Sequence, residues 1–252
     1  MKRLLCLFLL FSIAITCFPS THAEAGIKIN IYGDDAYAPY CFVKNGTYDG
    51  IYVQILEKAF ARMPDYEINI IPVPYKRLLL GLERGSFFAA FPPYNLPQKR
   101  PWIDVYSVPI LEEDFSVFCT PKVLKEKRTN WPEDFKNLRI GINDGFQIPD
   151  LSELNKVEDA ASNTKNIKKL LGGRIDCYVN DSKSILYTAK NMGIEKSKLV
   201  KLLKISTEYG HLAFSSKNNP PFKNKFITKF NQIILEMKCS GEIESIVNTF
   251  IK

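Results

Sequence analysis

The sequence is poor in the side chains that most often bind transition metals. It contains two histidines, and one of them, His22, lies within the first 25 residues. None of its six cysteines forms a Cys-x-x-Cys pair. Because structural zinc sites take their four ligands from clustered histidine and cysteine, the sequence indicates no metal site. It also carries no cofactor motif, and we expect no cofactor.

Beyond residue 25 the sequence lacks an apolar run of the length that crosses a bilayer, which is about 20 residues. It also lacks a basic block interleaved with aromatic residues, although Lys and Arg exceed Asp and Glu by 34 to 27. This positive excess is spread along the chain, which is typical of a solvated surface. We therefore expect no nucleic-acid partner.

The first 25 residues have the order of features that is typical of a secretory signal peptide. Two positive residues precede an apolar run at 4–17, and small residues follow around Ala23. We therefore predict that residues 1–25 direct export and that the protein is periplasmic. The alternatives are a membrane anchor or a lipoprotein joined through Cys17, although Thr16 stands where a lipobox has a smaller residue.

Four cysteines follow the predicted signal peptide: Cys41, Cys119, Cys177 and Cys239. An even number of cysteines in an oxidising compartment permits two disulfides, and the sequence leaves their pairing open. Cys119 and Cys177 lie in apolar runs that resemble strands. Buried free thiols are an equal alternative at these two positions.

The hydrophobic periodicity of the chain indicates two α/β units. The first alternates strands and helices from Ile27, and the second repeats this order from Phe115. In the second unit we predict that Thr164 caps one helix and that Asp181 or Ser182 caps the next. Two amphipathic helices complete the chain. Alternation of this kind predicts largely parallel sheets covered by helices, and ligands of such folds bind beyond the strand ends.

Several short motifs, in order along the chain, resemble those of one known family. They are DDAYAPY at 34–40, GIYVQI at 50–55, Arg100 followed by YSVP at 106–109, LRIGINDG at 138–145, GRIDCYVND at 173–181 and YGHLAF at 209–214. Each motif is weak alone, and their collinear order makes the match specific. On these residues the chain resembles the periplasmic solute-binding proteins of ABC importers, in the family 3 group that binds polar amino acids.

The resemblance implies a two-lobed α/β fold of the type 2 periplasmic-binding-protein class, with a cleft between the lobes. Lobe 1 would comprise 26–109 and 210–252, and lobe 2 would comprise 115–205. Crossing strands at 110–114 and 206–209 would form the hinge. The implied ligand is an amino acid or similar small carboxylate that the lobes close around. The implied partner is the membrane permease of an ABC importer, and the protein is expected to be a monomer.

The resemblance also implies binding roles for individual residues. Arg100 matches the family's carboxylate-binding arginine, whose planar guanidinium can donate two parallel hydrogen bonds. Asp181 matches the acid that binds the ligand ammonium, and it is also a good helix cap. Tyr37 and Tyr75 match the aromatic rings on either side of the ligand side chain, with two core tyrosines as the alternative.

Three further residues are candidates for the same site. Asn95 stands where the family usually has a threonine, and Pro93 removes a backbone donor nearby. Asp34 is expected either to fix its loop or to contact the ligand. Arg77 is expected on a helix surface where it could pair with Glu83, and the alternative is that it reaches into the cleft.

Two other functions are compatible with the same fold. A sensor would report the bound ligand to a membrane receptor, which this chain would need as a partner. A dehydratase acting on prephenate-like compounds would need a general acid or base in the cleft. Glu112 and Glu113 are the crowded acids near the predicted hinge, and we expect both to be solvated. The sequence therefore favours binding without catalysis.

Overall fold

The computed structural model describes residues 26–251, so the predicted signal peptide lies outside the described residues. Within 26–251 the chain forms six α-helices and thirteen strands. The helices are α1 (Ile51–Phe60), α2 (Tyr75–Arg84), α3 (Asn163–Leu171), α4 (Ser182–Asn191), α5 (Lys223–Cys239) and α6 (Glu242–Ile251). The strands are β1 (Ile27–Asp34), β2 (Ala36–Tyr37), β3 (Cys41–Lys44), β4 (Thr47–Asp49), β5 (Tyr66–Val73), β6 (Ala89–Phe91), β7 (Ile103–Tyr106), β8 (Leu111–Cys119), β9 (Arg139–Asn143), β10 (Lys156–Ala160), β11 (Cys177–Asp181), β12 (Val200–Gly210) and β13 (Ala213–Ser215).

The first large sheet has the strand order β5-β1-β6-β13-β7. β1 pairs in parallel with β5 and β6, whereas β13 pairs antiparallel with β6 and β7. The apolar faces of α1 and α5 meet through Phe60, Phe226 and Phe230, and Phe226 also contacts Phe88 and Phe214 at the sheet. We call this sheet, its helices α1, α2, α5 and α6, and the small sheet β2-β3-β4 lobe 1.

The second large sheet has the order β10-β9-β11-β8-β12. Helices α3 and α4 pack on one of its faces, where Phe118 of β8 and Tyr178 of β11 lie opposite each other. Ile167 of α3 and Ile185 of α4 are fully buried against these rings. We call this sheet with α3 and α4 lobe 2.

Two short connections join the lobes. The chain leaves β7 through residues 107–110 to enter β8, and it returns from β12 through 211–212 to β13. β8 and β12 pair antiparallel, and Leu111 lies opposite Gly210 at the end nearest lobe 1. Sheets with parallel strands and covering helices, divided into two lobes, confirm the predicted α/β class.

The helix caps of lobe 2 agree only in part with the prediction. Ser162, and not Thr164, caps α3, because the extended backbone of Ser162 lets its Oγ accept from the Lys165 N–H at 3.4 Å. Asp181, one of the two predicted residues, caps α4. Its Oδ1 accepts from the Ser184 N–H at 2.8 Å.

A disulfide joins Cys119 of β8 to Cys177 of β11, which lie opposite each other on neighbouring strands. This observation decides between the two alternatives left open by the sequence for these residues. Cys41 is a buried free thiol and Cys239 is an exposed one. Among residues 26–251 there is accordingly one disulfide, and it lies within lobe 2.

Removing this disulfide should destabilise the protein. It closes a loop with a sequence separation of 58 residues, so the chain-entropy relation predicts that Cys119→Ala with Cys177→Ala lowers the free energy of unfolding by about 4 kcal/mol. Urea denaturation measures this change. Cys239→Ala is the control, because it removes an exposed thiol, and it should change stability by less than about 0.5 kcal/mol. Equal stability of the double variant and the control would contradict the assignment.

Candidate functional site

The two lobes meet through polar contacts beside a group of buried tyrosines. Tyr40 of lobe 1 donates its hydroxyl hydrogen to Oδ1 of Asp181 in lobe 2, at 2.9 Å. The Ser184 hydroxyl of lobe 2 donates to the Ala38 carbonyl oxygen of lobe 1, at 2.5 Å. The turn between β2 and β3 therefore rests directly on the first turn of α4, and most of the predicted site residues lie near this junction.

Arg100 lies in the connection between β6 and β7, and only 2% of its surface is exposed. Its Nη1 donates to the Tyr94 carbonyl oxygen at 3.3 Å, and its guanidinium carbon lies 5.9 Å from the ring centroid of Tyr75. Within the described chain its Nη2 has no hydrogen-bond partner. Because a buried donor without an acceptor costs about 1–3 kcal/mol, and more when it is charged, this cation is suited to receive an anion.

Asp181 is fully buried at the start of α4. Its Oδ1 accepts from the Tyr40 hydroxyl and the Ser184 N–H, and its Oδ2 accepts from the Asp114 N–H at 2.8 Å. Burial raises the pKa of this carboxyl, while the hydrogen bonds from Ser184 and Tyr40 oppose that rise. Three donors from the protein thus use most of the accepting capacity of Asp181.

Asp34 ends β1 and is 4% exposed. Its Oδ1 accepts from the Ala36 N–H at 3.0 Å, so Asp34 fixes its loop, as one of the two sequence expectations states. Burial, with a smaller contribution from the neighbouring Asp35, raises the pKa of Asp34 to about 7, although the hydrogen bond from Ala36 opposes the rise. Asp34 also lines a cavity of about 40 Å³ between the lobes, together with Tyr75 and Phe146.

Tyr37 and Tyr75 are both buried, and both contact one aromatic ring from lobe 2. The ring of Phe146 meets Tyr37 edge-on with centroids 5.3 Å apart, and it meets Tyr75 edge-on at 5.0 Å. Phe146 is not among the site residues predicted from the sequence. Its position after the glycine turn that follows β9 is the one local feature that points to a role in the site, and a turn of this kind does not determine which surface the next side chain contacts.

The expectation for Glu113 was wrong. Glu112 is exposed, but Glu113 is fully buried, because successive residues of β8 face opposite sides. The Tyr52 hydroxyl donates to Oε1 of Glu113 at 2.5 Å, and the hydroxyls of Tyr37 and Tyr94 donate to Oε2. Burial, with a contribution from Asp181, raises the pKa of Glu113 to about 8, although the tyrosine hydrogen bonds oppose the rise.

The structure brings together Arg100, Tyr75 and Asp34 on one side and Tyr37, Glu113 and Asp181 on the other. It does not bring Asn95 or Arg77 into this group, since both are exposed. Among the described residues, Arg77 forms no ion pair with Glu83. His211 is buried, and its Nδ1 lies 2.7 Å from the Ser107 carbonyl oxygen, which agrees with a structural role.

Residues 26–251 contain no group of three His, Cys, Asp or Glu arranged to hold a metal ion. No helix within the same range has the length and apolar character needed to cross a bilayer.

Solved structures with the same fold cover nearly the whole chain. A histidine kinase sensor domain with similarity to periplasmic binding proteins has a TM-score of 0.76 and 16% identity, with 90% of this chain and 96% of that chain covered. An ancestral amino-acid-binding protein, a precursor of cyclohexadienyl dehydratase, has a TM-score of 0.70 and 19% identity, with 89% and 95% covered. The arginine-, lysine-, histidine-binding protein ArtJ from Geobacillus stearothermophilus has a TM-score of 0.69 and 18% identity, with 88% and 94% covered.

At these identities the similarity shows the fold, which is the two-lobed type 2 periplasmic-binding-protein fold. No curated protein matches the sequence. The family model of bacterial extracellular solute-binding proteins, family 3, matches residues 29–252. This match covers both lobes and includes every candidate site residue. The chain therefore belongs to the bacterial extracellular solute-binding proteins, family 3.

Proposed function

We propose that this protein captures a free amino acid, or a similar small carboxylate, between its lobes and delivers it to the membrane permease of an ABC importer. Family membership supports capture of a solute. The observation that carries the choice of ligand is the buried Arg100 guanidinium, whose Nη2 lacks an acceptor within the described chain. The proposal includes export to the periplasm and action as a monomer.

The carboxylate of the ligand would bind at Arg100. Among the described residues, no Asp or Glu forms an ion pair with this arginine, whose contacts include the Tyr94 carbonyl oxygen and the face of the Tyr75 ring. A carboxylate can accept two parallel hydrogen bonds from a guanidinium. In a buried setting such a charge-assisted pair contributes more than it would in water.

The ammonium of the ligand needs an acidic partner, and the three buried acids differ in what they can offer. Glu113 accepts from three tyrosine hydroxyls and has a pKa raised to about 8, so it is mostly neutral at pH 7. Asp181 already accepts three hydrogen bonds. Asp34 accepts a hydrogen bond from the Ala36 N–H and lines the cavity. Its pKa of about 7 leaves it about half ionised at pH 7, and a nearby ammonium favours the ionised form, so it is the acid best placed for an ammonium. A role for Asp181 would require a ligand to share or replace the Tyr40 hydroxyl.

Binding would require the lobes to separate and close again. The cavity of about 40 Å³ beside Asp34 and Tyr75 is far smaller than the ~300–1,000 Å³ of ordinary ligand pockets. A second cavity between the lobes has about 370 Å³, but it is lined by residues such as Ala38 and Asn163 and by none of the candidate site residues. The contacts that would break on opening include those of Tyr40 with Asp181 and of Ser184 with Ala38. The paired ends of β8 and β12, next to the two connections, would act as the hinge.

The proposal involves no covalent step. A dehydratase would need an acid that reaches the substrate. Glu113 accepts hydrogen bonds from three buried tyrosine hydroxyls, so its position favours a structural role.

Arg100→Ala should abolish binding of the amino acid that the wild-type protein binds best in a screen by isothermal titration calorimetry. We expect the affinity to fall by about 100-fold or more, because the substitution removes a charge-assisted contact to the ligand carboxylate. Arg77→Ala is the matched control, because it removes an exposed arginine outside the group. Equal affinities for wild type and Arg100→Ala would contradict the proposed carboxylate site.

Glu113 should make the protein less stable as the pH rises. Between its unfolded pKa near 4.5 and its folded pKa of about 8, the folded state keeps a proton that the unfolded state has lost. The free energy of unfolding then falls by at most ~1.4 kcal/mol per pH unit from this group. Because Glu113→Gln removes this titration, its stability relative to wild type should increase by roughly 3 kcal/mol from pH 5 to pH 8.

Urea denaturation of both proteins at the two pH values measures this difference. The control is Glu112→Gln on the same strand, which should leave the pH dependence unchanged because Glu112 is exposed. Asp34 contributes in the same direction as Glu113 in both proteins, so its effect cancels in the comparison. A difference between Glu113→Gln and wild type that does not depend on pH would contradict a raised pKa for Glu113.

A further inference from the structure

We infer that Phe146 determines the ligand specificity of this protein and restricts the ligand to amino acids with small side chains. Its ring packs against the rings of both Tyr37 and Tyr75 and occupies space that a larger ligand side chain would need. This inference rests on the proposed function, since it concerns the same site. It adds a residue that the family motifs do not include and a class of ligand.

Aromatic rings surround Phe146 on several sides. Its ring lies edge-on to Tyr37 and Tyr75 at centroid distances of 5.3 and 5.0 Å, and its centroid is 6.5 Å from that of Phe115. Only 6% of Phe146 is exposed. The two tyrosines belong to lobe 1, whereas Phe146 and Phe115 belong to lobe 2, so this ring packs across the junction of the lobes.

The loop that carries Phe146 is held firmly at its base. Asn143, at the end of β9, accepts hydrogen bonds at Oδ1 from Asn166 Nδ2 and from the Tyr178 hydroxyl, each at 2.9 Å. The Phe146 N–H donates to the Asn143 carbonyl oxygen at 3.0 Å, which closes a tight turn. Gly145 in this turn has φ of +78°, which L side chains rarely adopt. The backbone of this turn thereby fixes the direction in which the Phe146 side chain points toward Tyr37 and Tyr75.

The turn also lies directly against lobe 1. A Cβ added at Gly145 would be 3.5 Å from ring carbon Cδ1 of Tyr75. The space left between the lobes beside Phe146 is the cavity of about 40 Å³, which Phe146 itself lines. A ligand side chain that extends between Tyr37 and Tyr75 must therefore displace the phenylalanine ring.

Small and bulky ligands should differ in affinity, because a bulky ligand side chain competes with the Phe146 ring for the same space. A glycine, alanine or serine ligand can place its carboxylate at Arg100 and leave Phe146 between the tyrosines. A phenylalanine or tyrosine ligand would expel the buried Phe146 ring into water, a cost that a small ligand avoids and that corresponds to about tenfold or more in affinity. The new ring contacts of the ligand would only replace those that are lost.

Calorimetric titration of the wild-type protein with glycine, alanine, serine, phenylalanine and tyrosine tests the inference. We expect the best small ligand to bind at least about tenfold more tightly than phenylalanine or tyrosine. In Phe146→Ala the affinity for phenylalanine should rise by about tenfold or more, and that for the small ligand should change by less than about threefold. Phe146→Leu should give an intermediate ratio, and it replaces the alanine variant if that variant does not fold.

Phe135→Ala is the matched control. Phe135 is fully buried in the same lobe, but its ring contacts Trp131 and not the tyrosines, so the ratio of the two affinities should stay as in wild type. Wild type that binds phenylalanine as tightly as alanine, with the same ratio in Phe146→Ala and Phe146→Leu, would overturn the inference and leave the proposed function standing. Failure of all five amino acids to bind either wild type or the folded Phe146 variants would overturn the inference.

Failure of all five amino acids to bind would not by itself contradict the proposed function. A wider screen of amino acids and small carboxylates against the wild-type protein tests that function separately. A ligand found there whose binding depends on Arg100 would keep the proposed function while still removing the small-ligand inference. If no such ligand is found in the wider screen, the proposed function fails together with the inference.

Discussion

The site is organised by a buried positive charge that lacks a balancing anion. The Arg100 guanidinium is almost fully withdrawn from water, and its contacts include the Tyr94 carbonyl oxygen and the face of the Tyr75 ring. Desolvation of a cation is costly unless it is paired and hydrogen-bonded. A ligand carboxylate would complete the coordination of Arg100. The energy of binding then comes from satisfying a group that the fold has already desolvated and positioned.

Among the described residues, the buried acids at the junction of the lobes do not form an ion pair with Arg100. Glu113 is occupied by tyrosine hydroxyls and is mostly neutral near pH 7, while Asp181 serves as the cap of α4 and joins the lobes through Tyr40. Asp34 lies beside the cavity, with the Tyr75 ring also on its wall. The tyrosines thus stabilise buried carboxyls without neutralising Arg100, and the site keeps a separation of charge that suits a zwitterion.

The sequence predicts most of the fold because hydrophobic periodicity and turn residues act locally. It also predicts Arg100, Tyr37, Tyr75 and Asp181, because motifs in collinear order place them, although only the structure shows them in one group. The burial of Glu113 could not be predicted, since it depends on tyrosines from three distant segments that converge on one carboxyl. The contact of Phe146 with lobe 1, like the choice of Cys119 and Cys177 as the disulfide pair, depends on how distant strands and lobes meet.

The most direct measurement is a crystal structure of the protein with its tightest-binding amino acid. The account predicts a carboxylate oxygen of the ligand within about 2.7–3.1 Å of Nη2 of Arg100, in the space between the lobes. A ligand whose carboxylate lies elsewhere, with the Arg100 guanidinium still without an anionic partner, would contradict it.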